Sequence, residues 1–174
     1  MTFLAIDFGA RRLGLALSDE DERLCWPLQT QTRRPNDARG DIKTLLDLMR
    51  ARAVEGVVMG IPGGSAASDE VARGARQFAA QLERAARAAG LELQFFETDE
   101  RFSSAQAQGE LRSAGIKTRT SRESGGADSV DARAAAVFLQ TFLDSRNHGR
   151  NGTTLAPHLG PDAQLNELDT DDSL

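Results

Sequence analysis

An aspartate stands inside an apolar stretch near the start of the chain, in LAIDFGARRLGLALSD, residues 4–19. Phe3, Leu4, Ala5 and Ile6 read as a buried strand. Leu13 to Leu17 reads as a second, joined to the first by a short Gly-Ala-Arg-Arg-Leu turn. Asp7 falls where another apolar residue belongs. An isolated ionised carboxylate is expensive to bury, so Asp7 must have a partner. Backbone donors and an arginine beside the tight turn are one solution. A cation shared with other carboxylates is the second. Gly9 and Gly14 flank the position and are expected to leave space for a phosphate to approach the backbone.

The rest of the chain alternates. LCWPLQT, residues 24–30, reads as a third strand kept at an edge by Pro27. Ile42, Leu45, Leu46 and Met49 form a helical stripe within residues 37–52. VEGVVMGI ends at Ile61 before Pro62-Gly63-Gly64 and reads as a buried strand with a loop after it. Ser68 or Asp69 caps a long helix that Gly90 stops, and Leu91 to Thr98 is a fifth strand. Residues 103–115 read as a helix, and the basic segment 116–127 as a flexible loop. Asp128 or Ser129 opens a last helix to about Asp144, with Val130, Ala134, Val137, Phe138 and Leu143 available for packing. An antiparallel start followed by alternating strands and helices predicts an α/β fold, a mixed five-stranded sheet with helices on both faces.

The length of 174 residues suits one domain with a sizeable core. No apolar run reaches the roughly 18 residues of a membrane span, and the opening MTFLAIDFG lacks the pattern of a signal peptide. A single cysteine, Cys25, excludes an internal disulfide and a cysteine metal site. These features predict a cytoplasmic protein without membrane attachment. The formal net charge is −5, but residues 151–174 hold five acids and no Lys or Arg, so the remaining chain is balanced. Residues 1–145 are expected to form one domain, and 146–174 a flexible acidic tail too polar to offset its chain entropy.

Three further acids fall at ends of elements. Glu100 follows the fifth strand, and Asp128 and Asp131 open the last helix. Spaced by three, these two share a helix face and repel each other unless a cation lies between them or one turns to solvent. Hard cations such as Mg²⁺ take oxygen ligands and keep room for phosphate oxygens. Each acid also has a plain structural role open to it: Asp7 beside the turn, Glu100 paired with Arg101, Asp128 as a helix cap.

These segments carry a resemblance. AIDFGARRLGLALSD is similar to the opening motif of the YqgF/RuvX family, matched at Asp7, Gly9, Arg12, Gly14, Ala16, Ser18 and Asp19. WPLQT, VVMGIP, TDERFSSAQA and VDARAAAVFLQTFLD resemble its later segments in the same order. The family comprises Holliday-junction-resolvase-like proteins also described as pre-16S rRNA nucleases. The resemblance implies an RNase H-like fold and nuclease chemistry dependent on Mg²⁺ or Mn²⁺. It implies Asp7, Glu100 and Asp131 as metal ligands and catalytic acids, with Asp128 resembling the second helix acid of the related RuvC resolvases. The loop GGSAASDE departs from the family's pattern after Pro62, so a substrate contact ascribed to that loop does not carry over.

The cations Arg12, Arg101, Lys117, Arg119 and Arg122 are candidates for gripping phosphates beside those acids. The expected partner is nucleic acid, RNA ahead of DNA, presented on ribosomal precursor particles to a monomer or weak homodimer. Two other readings compete. A non-catalytic RNA- or ribosome-binding module would bind without cleaving. An actin-like nucleotide-binding protein has a similar Asp-x-Gly hairpin but ordinarily needs two such halves.

Overall fold

A computed structural model describes residues 1–34, 36–61, 66–99, 126–127 and 129–149. The strands are β1 (Phe3–Phe8), β2 (Arg12–Ser18), β3 (Cys25–Thr32), β4 (Gly56–Ile61) and β5 (Gln94–Asp99). The helices are α1 (Ala38–Ala51), α2 (Ala66–Ala88) and α3 (Val130–Gly149). The five strands form one sheet in the order β3-β2-β1-β4-β5. β1 is antiparallel to β2 and parallel to β4, and β4 is parallel to β5. The mixed sheet predicted from the alternation of elements is present, with β1 at its centre.

Period-two alternation sends the two halves of each strand's side chains to different layers. Leu4, Ile6, Leu13, Leu15, Leu17, Val57 and Met59 pack with the apolar stripes of α1 and α2. Phe3, Ala5, Ala16 and Val58 pack on the other face against Ala135, Phe138, Leu139, Phe142 and Leu143 of α3. The α3 contact therefore follows positions 132, 135, 138, 139, 142 and 143, all buried. Val130, expected in that packing face, is 58% exposed, and Ala134 is also exposed. They lie off the stripe that the 3.6-residue repeat points at the sheet.

Boundaries differ from the sequence reading in two places. α2 begins at Ala66, before Ser68 and Asp69, because Ala66 and Ala67 are themselves good helix formers. Asp69 then sits in the first turn, where the helix dipole favours an acid. α3 continues to Gly149 rather than stopping near Asp144, so Ser145 to Gly149 belong to the helix and not to a tail. Its last turn is held by side-chain bonds: Arg146 Nε lies 3.0 Å from Glu22 Oε2, and Asn147 donates to the Glu22 carbonyl at 2.7 Å. The Arg146 guanidinium also covers the rings of Phe3 and Phe96 at 5.3 and 5.5 Å.

β3 is an edge strand. Its pairing with β2 shifts register between Leu15 and Ala16, and Pro27 stands opposite Ala16. Cys25 points toward α3, where its thiol donates to the Ala136 carbonyl at 3.0 Å. Burial, reinforced by the Asp144 carboxylate, pushes that thiol up to about 12, so it stays protonated.

Candidate active site

Asp7 lies at the C-terminal end of the central strand, where the register sets a row across the sheet. Asp7 pairs with Gly14 of β2 on one side and Gly60 of β4 on the other. The row continues to Thr30 of β3 beyond Gly14 and to Thr98 of β5 beyond Gly60. Residues in register share a sheet face. Asp7 therefore stands between two positions with no side chain, on the α3 face.

The start of α3 is laid across this row. A Cβ built at Gly14 would come 2.1 Å from the Asp131 carbonyl oxygen, so only glycine allows the helix to sit so low on β2. The space expected to admit a phosphate at Gly14 is filled by the backbone of Asp131. Gly9 likewise serves the turn, since a Cβ there would lie 2.8 Å from the Arg12 carbonyl oxygen, which accepts the Gly9 N–H at 2.9 Å.

Ser129 fixes the first turn. Its hydroxyl accepts the Ala132 N–H at 3.2 Å, the bond of a helix N-cap, and is hydrogen-bonded to the Thr30 hydroxyl on β3. Ser129, one of the two candidate caps, makes this bond. The Ser129–Thr30 link has no sequence signal, since the partners lie 99 residues apart and no local motif marks them.

With the first turn anchored at Thr30 and Gly14, the backbone of Asp131 lies over the position paired with Asp7. Its carboxylate lies 3.6 Å from the Arg12 guanidinium, with side chains 36% and 48% exposed. At that exposure the pair adds little to stability. It does place a cation, from the start of β2, against Asp131. Among the described residues no group of three His, Cys, Asp or Glu side chains forms a metal cluster. Glu100, Asp128, Arg101, Lys117, Arg119 and Arg122 lie outside the described residues, as does the segment 103–115. Of the predicted set, the structure pairs Asp131 with Arg12 and seats the Asp131 backbone on Gly14, the register partner of Asp7.

A second arginine supports the site from behind. Arg33 donates to the Gly9 carbonyl at 3.0 Å and pairs with buried Asp41 at 3.2 Å. Its guanidinium lies over Phe8 at 4.4 Å and Phe78 at 5.3 Å, on the side of α1 and α2. Sequence reasoning misses this brace; a lone Arg between β3 and α1 carries no local signal.

The profile of the RuvX family, described as Holliday junction resolvase, matches residues 1–145. The chain belongs to the RuvX family. A relative from Maridesulfovibrio salexigens named "Putative pre-16S rRNA nuclease" is 35% identical over 144 residues, covering 82% of this chain and 98% of its own. Another of the same name, from Anaeromyxobacter sp. strain Fw109-5, is 38% identical over 151 residues, covering 84% and 99%. In shape the chain resembles Thermus thermophilus RuvC solved with a Holliday junction substrate. The TM-score is 0.57 at 17% identity, over 85% of this chain and 96% of that one. That likeness places this RuvX chain in the RNase H-like fold. Its family makes it a nuclease, a hydrolase of phosphodiester bonds. No helix among the described residues is long and apolar enough to cross a membrane.

Proposed function

We propose that this RuvX protein is a divalent-metal-dependent nuclease of RNA that trims the precursor of 16S rRNA in the cytoplasm, on ribosomal precursor particles. The observation that carries the reading is Asp7 between Gly14 and Gly60, with the backbone of Asp131 seated on Gly14. The start of α3 thus seats the backbone of Asp131 on the glycine floor beside Asp7. The hard carboxylate oxygens of both residues fit Mg²⁺ or Mn²⁺. Asp7 and Asp131 are the proposed ligands in this set, with Glu100 from the chain just after β5 and Asp128 as the additional helix acid. When bound, the metal supplies Lewis-acid stabilisation of phosphodiester oxygens and makes water acidic enough to attack.

The protein's own groups set the rest. The central strand holds Asp7 rigidly, and the Ser129 cap and Gly14 fix where Asp131 can reach. Arg12 neutralises Asp131 in the free protein and is within reach of a phosphate brought to the acids. Arg101, Lys117, Arg119 and Arg122, which follow β5 and precede α3 in the sequence, are proposed to hold the strand.

The test is cleavage of labelled single-stranded RNA, 16S rRNA precursor ends, duplex DNA and a four-way DNA junction, each with Mg²⁺, Mn²⁺ or chelator. Cleavage of the RNA substrates should need the metal. Asp7→Asn should keep the fold and lower cleavage at least about a hundredfold. Cleavage confined to the junction would make the protein a resolvase instead. Binding without any product, unaffected by Asp7→Asn, would make it a non-catalytic RNA-binding module.

A further inference from the structure

Three arginines at the sheet end that carries Asp7 have no role in the chemistry just described. Arg11 lies in the turn between β1 and β2, Arg34 follows β3, and Arg39 is the second residue of α1; all three are exposed. None makes an ion pair among the described residues. Arg50, Arg76, Arg87 and Arg146 do pair with acids, and Arg52 and Arg84 at the far end do not among the described residues, so what sets these three apart is their gathering at the end that carries Asp7.

The backbone gathers these three segments. The Arg33 N–H donates to the Arg11 carbonyl at 2.9 Å, and the Asp37 N–H to the Arg34 carbonyl at 3.2 Å. The first bond sets the hairpin turn beside the end of β3, and the second folds Arg34 against the start of α1. Arg33 locks the arrangement through Gly9 and Asp41. Nearby acids are already engaged: Asp41 holds Arg33, and Asp37 caps α1 by accepting the Gly40 N–H at 2.9 Å. Arg39 sits in the first turn of a helix, where the dipole repels a cation, so helix stability does not account for it.

We infer that Arg11, Arg34 and Arg39 form a second basic surface that holds the phosphodiester backbone of the nucleic acid on the β3 side of the acids. It rests on the nuclease reading and adds to it a direction, since the strand would run from Asp7 over the hairpin turn toward α1. Guanidinium groups suit phosphate oxygens bidentately, and anchored loops need little ordering on binding.

The experiment compares wild type with two charge-matched triple variants. One is Arg11→Gln/Arg34→Gln/Arg39→Gln. The control, Arg52→Gln/Arg84→Gln/Arg87→Gln, changes the other end of the molecule. Binding to labelled single-stranded RNA of mixed sequence and to a four-way DNA junction is measured against salt, alongside metal-dependent cleavage at saturating substrate. The first variant should bind on the order of tenfold more weakly at moderate salt. Its slope of log affinity on log salt should fall by about 0.7 for each single-strand phosphate that is no longer neutralised, up to about 2 in all. The control should keep the wild-type slope, and cleavage at saturation should change little in either. Weakening confined to one substrate identifies the nucleic acid the surface serves. Equal weakening in both variants, or an unchanged slope in the first, would overturn the inference while leaving a cleaving wild type a nuclease. A wild type that neither binds nor cleaves would overturn both.

Discussion

At its C-terminal end α3 is tied down by a buried charge; at its N-terminal end it is set by close backbone approach and a cap. Glu22 is 3% exposed and Arg146 24%, and the guanidinium is covered by two aromatic rings. At the other end the charged pair Arg12–Asp131 is open to water, and position is kept by Gly14 and the Ser129–Thr30 link. The difference separates two tasks. The charges that hold the helix are engaged at the end away from Asp7, and the Asp131 carboxylate stays accessible, as the proposed metal site requires.

The largest effect expected from breaking this contrast is on stability. Arg146→Ala leaves Glu22 buried with less compensation, although the N-terminal ammonium lies 3.4 Å from it. A decrease of about 3 kcal/mol, the low end for breaking a buried pair because the ammonium remains, is expected in urea unfolding. Cleavage per folded molecule should survive. If it collapses while the fold holds, the two ends are not independent.

Gly14→Ala attacks the other end. The added methyl meets the Asp131 carbonyl, and α3 must lift or tilt. Overpacking of this kind costs about 1–3 kcal/mol. A displacement near 1 Å at the acids should lower cleavage about a hundredfold. A variant destabilised but fully active would show that the first turn of α3 does not position Asp131.

Ser129→Ala removes the cap and its bond to Thr30. Stability should fall by about 1 kcal/mol. Metal affinity, read by titration calorimetry with Mn²⁺, should weaken more than in Thr30→Val, which keeps the cap. Equal effects would assign the positioning to the link to β3 rather than to the cap.

The smallest effect concerns Cys25, midway along α3. Its thiol is raised from 9.0 to about 12, so the folded state retains a proton that the unfolded chain releases. The associated stability is full below about pH 9 and is lost as pH rises toward 12. Cys25→Ser should flatten the alkaline side of the stability profile, and iodoacetamide should label the native thiol slowly at pH 8.

What the sequence makes legible is short-range or periodic. The alternation in Phe3 to Leu17 and the stripe Ile42, Leu45, Leu46, Met49 announce β1, β2 and α1, and the acid inside β1 marks the proposed site. The motif order then supplies Asp131. What stays hidden depends on contacts made across the sheet. Gly14 stands out as special, but its occupant, a helix turn more than a hundred residues later, has no local signature. Glu22 looks like one more loop acid, yet it takes a left-handed backbone with φ 60 and receives Arg146 from 124 residues away. The end of α3 is hidden for the same reason: Ser145 to Gly149 are polar, and polarity resembles a tail until Glu22 is known to receive it.

The irregularity of β3 bears on how the protein behaves in a crowded solution. An edge strand offers unpaired donors and acceptors to any other strand, and Trp26, 43% exposed, would add an adhesive ring. Pro27 withholds one donor, and the shift between Leu15 and Ala16 bends the strand out of the flat geometry that a second chain would need. The strand that anchors the start of α3 through Thr30 is thus also one that resists zipping edge to edge with its copies.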